Sequence, residues 1–325
     1  MRKPSVVVTA RWPLAVEQVL QSEFEVTLNE SDRPFTADDM RSALASADAL
    51  CPTVIDALPA EILGDARGRC RLLANFGVGF NHIDVAHATR LGIAVSNTPG
   101  VLTDCTADLA LLLMLSIARR AGEGERQVRS SQWRGWRPTH LLGQSLAGKT
   151  LGIIGMGRIG QAVAKRAGLG FGMRVLYHSR SVVSVPGVDI ERLDLDDLLA
   201  RADFVSLHCP SNPQTHHLLN SESLGKMKKE AYLINTARGD VVDELALVEA
   251  LRNGVIAGAG LDVYEKEPQI QAGLIDLENV VLLPHLGSAS VETRTAMGMC
   301  VVNNLRAFFQ GKPLPDPVVV RLTNR

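Results

Sequence analysis

The sequence predicts an α/β chain of two domains, each built on a parallel sheet, and three observations carry that expectation. Its 325 residues exceed the size at which a single hydrophobic core usually keeps growing, so the chain should divide. Short β-branched runs alternate with helical patterns from the beginning, which is the rhythm of βαβ units. The alternation falls into two series, separated by the turn signal Asn97-Thr98-Pro99-Gly100.

In the first series the strand-like runs are Val6 to Val8, Ala49 to Cys51, Leu72 to Phe76 and Ile93 to Ser96. After the turn, Thr103-Asp104 is expected to cap a long apolar helix reaching Arg119. The second series holds Thr150 to Ile154, Arg174 to Tyr177, Phe204 to Leu207, Tyr232 to Asn235, Ala259 to Val263 and Val280 to Leu283. These six strands suit a dinucleotide-binding sheet. Leu283-Pro284-His285 closes the last strand, Ser288 to Phe309 has a helical pattern, and a Pro-rich tail runs from Gly311 to Pro317. The C-terminal segment is expected to return to the first domain.

Composition narrows the function. With 46% hydrophobic, 21% charged and 4% aromatic residues, the chain has the make-up of a folded, soluble protein. Its 34 Lys+Arg against 35 Asp+Glu leave a formal net charge of −1, so no basic surplus points to nucleic acid or a membrane surface as a partner. The five cysteines (Cys51, Cys70, Cys105, Cys209, Cys300) are odd in number and lack CxxC spacing. They indicate neither a disulfide framework nor a zinc site and fit a reducing cytoplasm. The opening, MRKPSVVVTA, reads as a strand rather than a leader peptide. The longest apolar run, Leu109 to Ala118, is too short for a bilayer, which needs about 20 residues.

The first chemical motif follows the strand ending at Ile154. Gly155, Gly157 and Gly160 form GxGxxG directly between a strand and the helical stretch Gln161 to Ala167. In that context Gly155 permits a tight turn, Gly157 lets the backbone approach a pyrophosphate, and Gly160 lets helix and strand pack closely. Nineteen positions past Gly160, where an acidic side chain would bond the adenosine ribose and repel a 2′-phosphate, the sequence reads Tyr177-His178-Ser179-Arg180. A hydroxyl and a guanidinium in place of a carboxylate favour a phosphate there, hence NADP over NAD, with NAD left open.

Three further residues follow strands of the same sheet and are expected to converge at its carboxyl edge. Arg238, in Asn235-Thr236-Ala237-Arg238-Gly239, has the planar fork that clamps a carboxylate. His285 can give a proton to a developing alkoxide and take it back in the reverse direction, and Glu267 can orient the ring and favour the imidazolium. By contrast, His216-His217 lie in a polar loop without partner ligands at a recognisable spacing. They are read as solvated or locally hydrogen-bonded, with no metal expected.

Gly155 to Gly160, Asn235 to Gly239, Glu267-Pro268 and Pro284-His285 together resemble the signatures of the D-isomer-specific 2-hydroxyacid dehydrogenases, over nearly the whole chain. The resemblance implies two Rossmann-like domains: a dinucleotide-binding domain, residues 99–285, inserted in a discontinuous flavodoxin-like substrate domain, residues 1–98 and 286–325. It implies that Arg238 binds the substrate carboxylate and carbonyl, that His285 with Glu267 does acid-base work, and that Val78 and Gly79 offer backbone amides to the carboxylate. Coenzyme contacts are implied for Thr106, Arg158, Ile159, Pro210, Thr215, Thr236, Ala237, Asp262, His285 and Gly287, beside the three glycines, Ser179 and Arg180. A homodimer through the dinucleotide-binding domains is implied as well.

Within the family the likeness is greatest to glyoxylate/hydroxypyruvate reductases, through Trp133-Arg-Gly-Trp136-Arg-Pro138, Leu142-Gly143 and the Tyr177 to Arg180 run. The expected reaction is NADPH-dependent reduction of a small 2-keto acid to the D-2-hydroxy acid. His140 stands where some of these reductases carry a tryptophan, which opens selectivity to other small 2-keto acids. The two tryptophans are expected in core or dimer packing rather than on substrate. Two readings stay open beside this one: an NAD-dependent dehydrogenase for another D-2-hydroxy acid, and a non-catalytic dinucleotide sensor of the same fold.

Overall fold

The computed structural model describes residues 2–65 and 68–319. The chain divides into two compact units, Met1–Leu102 with Ala289–Arg325, and Thr103–Ser288.

In the first unit a parallel five-stranded sheet forms from β1 (Ser5–Val8), β2 (Glu25–Leu28), β3 (Ala49–Cys51), β4 (Leu72–Ala74) and β5 (Ala94–Ser96), in the order β2-β1-β3-β4-β5. That is the flavodoxin-like order. Between the strands run α1 (Leu14–Glu23), α2 (Ala37–Ser46), α3 (Ala60–Leu63) and α4 (Val85–Arg90). Side chains alternate across the sheet: Val7, Leu50 and Leu73 enter one core, while Val6, Val8, Ala49, Cys51, Leu72 and Ala74 enter the other. With both faces covered, near-continuous apolar runs are what such strands require.

β2 was not expected from the sequence. It is an edge strand whose residues, Glu-Val-Thr-Leu, alternate exposed and half-buried, so it lacks an apolar run. After the second unit the chain returns and its C-terminal helix, Val291–Phe309, lies on α1. Gly298 allows the approach, because a Cβ there would sit 2.7 Å from Val16 Cγ1. Arg306 Nε donates to Glu23 at 2.7 Å along the same contact.

The second unit opens with α5 (Thr103–Ala118) and α6 (Ala121–Arg129). Thr103 is itself the first helical residue rather than a cap. Seven parallel strands follow: β6 (Thr150–Ile154), β7 (Arg174–His178), β8 (Ile190–Arg192), β9 (Phe204–Leu207), β10 (Tyr232–Asn235), β11 (Gly258–Leu261) and β12 (Val280–Leu282). Their order is β12-β11-β10-β9-β6-β7-β8. Counted from the first strand, this is the doubly wound dinucleotide-binding order with one strand added, and it reverses direction between β6 and β9. The helices are α7 (Arg158–Phe171), α8 (Leu195–Arg201), α9 (Ser221–Gly225), α10 (Glu244–Arg252) and α11 (Ala272–Ile275), and Val291–Phe309 of the first unit is α12. Ile153, Phe204, Tyr232 and Ile234 pack on one face of the sheet, and Ile154, Val205, Leu207 and Leu233 on the other.

Six strands were expected here; the seventh, β8, is a three-residue edge strand, Ile-Glu-Arg. The unit boundaries also lie a few residues from the expected 98/99 and 285/286. Residues 99–102 stay with the first unit, where Thr98 N donates to Gly77 O at 3.1 Å. Residues 286–288 stay with the second, because Asp262 accepts from the N–H groups of Leu286 and Gly287.

The tryptophans depart from one expectation. Trp133 and Trp136 are 54% and 82% exposed, so neither belongs to the core of the chain. Among the described residues, no helix is long and apolar enough to cross a membrane.

Candidate active site

The turn from β6 into α7 has the shape a pyrophosphate needs. Gly155 sits at φ +97°, and a Cβ there would meet Cys209 N at 2.5 Å, so only glycine fits. At Gly160 a Cβ would lie 2.3 Å from Gly155 O, which is the close helix-strand packing expected of it. Gly157 caps α7 and faces open space, with nothing within 4 Å of its Cβ position. Arg158 and Ile159 open the fourteen-residue helix, whose unbonded N–H groups and dipole favour an anion.

Further residues fit a bound dinucleotide. The buried Thr236 hydroxyl has no hydrogen-bond partner among the described residues, a state that a ligand atom would relieve. Pro210 and Thr215 form one loop after β9, where Thr215 Oγ1 donates to Pro210 O at 2.7 Å. At the end of β7, Arg180 is exposed and Ser179 half-buried. Arg192, which sequence reasoning passed over, donates from Nε to Ser179 O at 3.0 Å and from Nη2 to Arg180 O at 3.3 Å. Its signal was hidden because it belongs to the unexpected β8.

Arg238, Glu267 and His285 come from the ends of β10, β11 and β12. Beyond β10, the buried Asn235 accepts from Ala237 N at 3.0 Å and donates to Arg238 O at 2.9 Å, fixing the turn that presents the arginine. Gly239 packs so tightly that a Cβ would lie 1.8 Å from the Tyr264 carbonyl carbon. This contact holds the Arg238 loop against the Glu267 loop. Burial lowers the Arg238 pKa from its usual value, and Glu267 and Asp240 oppose that by stabilising the cation. A half-buried guanidinium of this kind gains from an added carboxylate.

Glu267 accepts on both sides: His285 Nδ1 stands 2.8 Å from Oε2, and Tyr264 N donates to Oε1 at 3.0 Å. Burial alone would raise the Glu267 pKa, yet the hydrogen bond and charge of His285 outweigh it and keep the carboxyl below its ordinary value. A carboxylate on Nδ1 leaves Nε2 of the imidazole as the nitrogen that can exchange a proton with a ligand. His285 adopts φ +56° and its N–H donates to Asp262 O at 2.9 Å. The buried Asp262 holds the loop beyond it, accepting from Leu286 N at 2.6 Å and Gly287 N at 2.8 Å, while Thr106 Oγ1 donates to Gly287 O at 2.9 Å. Burial raises the Asp262 pKa, partly offset by these amides and by His285. Both Asp262 oxygens are thus engaged with the loop that carries the histidine.

Residues 111–287 match the NAD binding domain of the D-isomer specific 2-hydroxyacid dehydrogenases. The glyoxylate reductase of Thermococcus litoralis is 44% identical over 322 residues, 97% of each chain. The chain belongs to the D-isomer specific 2-hydroxyacid dehydrogenases. It is also 45% identical to the glyoxylate reductase of Pyrococcus horikoshii, over 98% of this chain and 96% of that one. Among solved structures, the NADPH-dependent glyoxylate/hydroxypyruvate reductase of Sinorhizobium meliloti, in complex with NADP and malonate, aligns with TM-score 0.84 at 36% identity, over 98% of this chain and 97% of that one.

This 2-hydroxyacid dehydrogenase therefore uses a nicotinamide dinucleotide and a small acid. In its first unit the loop beyond β4 is pinned by amide side chains. The buried Asn75 donates to Gly77 O at 3.0 Å and Gly79 O at 2.9 Å, and Asn97 donates to Val78 O at 2.8 Å. With these carbonyls bonded inward, the N–H groups of Val78 and Gly79 have no acceptor among the described residues. Asn75 and Asn97 carry no signal of this role in the sequence, because it depends on a loop folding back on itself. His140 hydrogen-bonds Gln127 through Nε2 at 2.8 Å.

Proposed function

We propose that this dehydrogenase reduces glyoxylate and hydroxypyruvate to glycolate and D-glycerate, with NADPH preferred over NADH. The observation that carries the reading is the Glu267–His285 pair at 2.8 Å, set on the same sheet edge as the half-buried Arg238. The names of the relatives supply the substrate class.

In this reaction Arg238 holds the substrate carboxylate and polarises the carbonyl through its two-pronged fork. When bound, the nicotinamide supplies the hydride to the carbonyl carbon. His285 gives its Nε2 proton to the carbonyl oxygen as negative charge builds there, so that one hydride and one proton complete the alcohol. Glu267 keeps the ring oriented and stabilises the imidazolium before transfer. Asp262 and Thr106 hold the backbone on which the histidine is mounted. Val78 and Gly79 act as amide donors to the substrate carboxylate in this proposal.

Coenzyme preference rests on Ser179 and Arg180 at the end of β7, where no carboxylate stands to repel a 2′-phosphate. The expected form is a homodimer acting in the cytoplasm. Two observations support this: the exposed Trp133 and Trp136, since aromatics commonly anchor interfaces, and five free cysteines. The deciding experiment follows reduced-nicotinamide absorbance with glyoxylate or hydroxypyruvate and either coenzyme. Consumption favouring NADPH, with Arg180→Ala losing that preference, supports the reading. Equal or greater kcat/KM with NADH overturns the coenzyme assignment, and no turnover of either acid overturns the substrate.

A further inference from the structure

We propose that His216, His217 and Glu265 form a site for a divalent transition metal of the zinc class, distinct from the Arg238–Glu267–His285 group. The three residues come from two loops of the second unit, 48 positions apart, and their ligand atoms lie within 4.8 Å of one another. His217 Nε2 stands 3.0 Å from Glu265 Oε1. Neighbouring side chains of an extended backbone point to opposite sides, but His217 has a left-handed backbone, φ +48°. The two adjacent imidazoles consequently stack, with ring centroids 4.0 Å apart and planes inclined by 27°. A non-glycine residue held in this region costs free energy that the surroundings must offset.

The loops bearing the ligands are fixed. His216 N donates to Asn212 O at 3.0 Å, His217 N to Asp240 O at 2.8 Å, and Glu265 N to Glu244 Oε1 at 2.8 Å. Metal–ligand bonds of about 2.0–2.2 Å place neighbouring ligands of a tetrahedral ion roughly 3.4 Å apart. The His217–Glu265 pair is already near that spacing, and a side-chain rotation of the exposed His216 ring would close the remaining distance. Two imidazoles and a carboxylate are a zinc-class donor set, with water completing the fourth position. Metal entry replaces the proton shared between His217 Nε2 and Glu265, and that proton leaves to solvent or moves to Nδ1. A bound ion would tie the loop after β9 to the loop that carries Glu267 two residues on.

Metal-stripped full-length protein titrated with Co2+ tests this. The expected result is one equivalent of Co2+ per chain with visible d–d absorption, displaced by Zn2+. His216→Ala truncates an exposed ring, and Glu265→Gln preserves shape. Each should weaken binding at least 10-fold, the loss typical of removing support from a metal site, while coenzyme binding by fluorescence is retained to verify folding. Absence of stoichiometric binding overturns the proposal, as does parental affinity in either variant, which would assign the ion to other histidines or cysteines.

Discussion

Replacing Glu267 by glutamine tests the proposed acid-base pair with the least change in shape. The carboxylate faces two donors, His285 Nδ1 at 2.8 Å and Tyr264 N at 3.0 Å, and a carboxamide has one acceptor oxygen to offer. If that oxygen turns to Tyr264, the new NH2 confronts Nδ1 and forces the imidazole into the wrong tautomer. If it turns to His285, Tyr264 N–H loses its partner. Either way a charge-assisted hydrogen bond is lost, worth about 1.5–3 kcal/mol, so kcat for reduction should fall roughly 10- to 150-fold. Steady-state kcat and kcat/KM for reduction measure the effect. An unchanged kcat would refute the assignment of Glu267 to His285.

Other perturbations follow from the same geometry. Gly239→Ala sets a Cβ 1.8 Å from the Tyr264 carbonyl carbon and should cost about 3 kcal/mol or more of stability; a parental urea midpoint would contradict the packing described. Asp262→Asn gives one of the two backbone donors at Leu286 and Gly287 an NH2 to face, with an expected loss of about 1–3 kcal/mol and a lower kcat, read by urea unfolding and turnover. Burial depresses His208 from 6.5 to about 3, so between those values the unfolded chain binds the extra proton and stability falls as pH falls. Unfolding free energies of His208→Asn compared with the parent should lack this dependence, up to about 1.4 kcal/mol per pH unit, and identical slopes would count against it.

Much of the architecture was written locally. Buried strands such as Thr150–Ile154 and Tyr232–Asn235 carry continuous apolar runs because both faces of a parallel sheet are covered. Gly155 and Gly160 of the β6–α7 turn are legible for a related reason: a positive φ at the first and close backbone approaches at both admit no side chain, so the constraint is carried by the residue type itself. The edge strands β2 and β8 were not legible, since one side lacks a partner and their polar residues face solvent.

The doubly wound class, the turn at Gly155 to Gly160, and the positions of Arg238, Glu267 and His285 after strands can all be read along the chain. Which atoms meet follows from the packing of distant segments. Glu267 presents one oxygen to His285 and the other to Tyr264, Asp262 spends both oxygens on the loop of residues 286 and 287, and Glu265 reaches a histidine 48 positions away. Strand period and turn chemistry are local properties of a chain, whereas hydrogen-bond partners at a sheet edge depend on strand order and register. Those are set by packing among segments that the sequence keeps far apart.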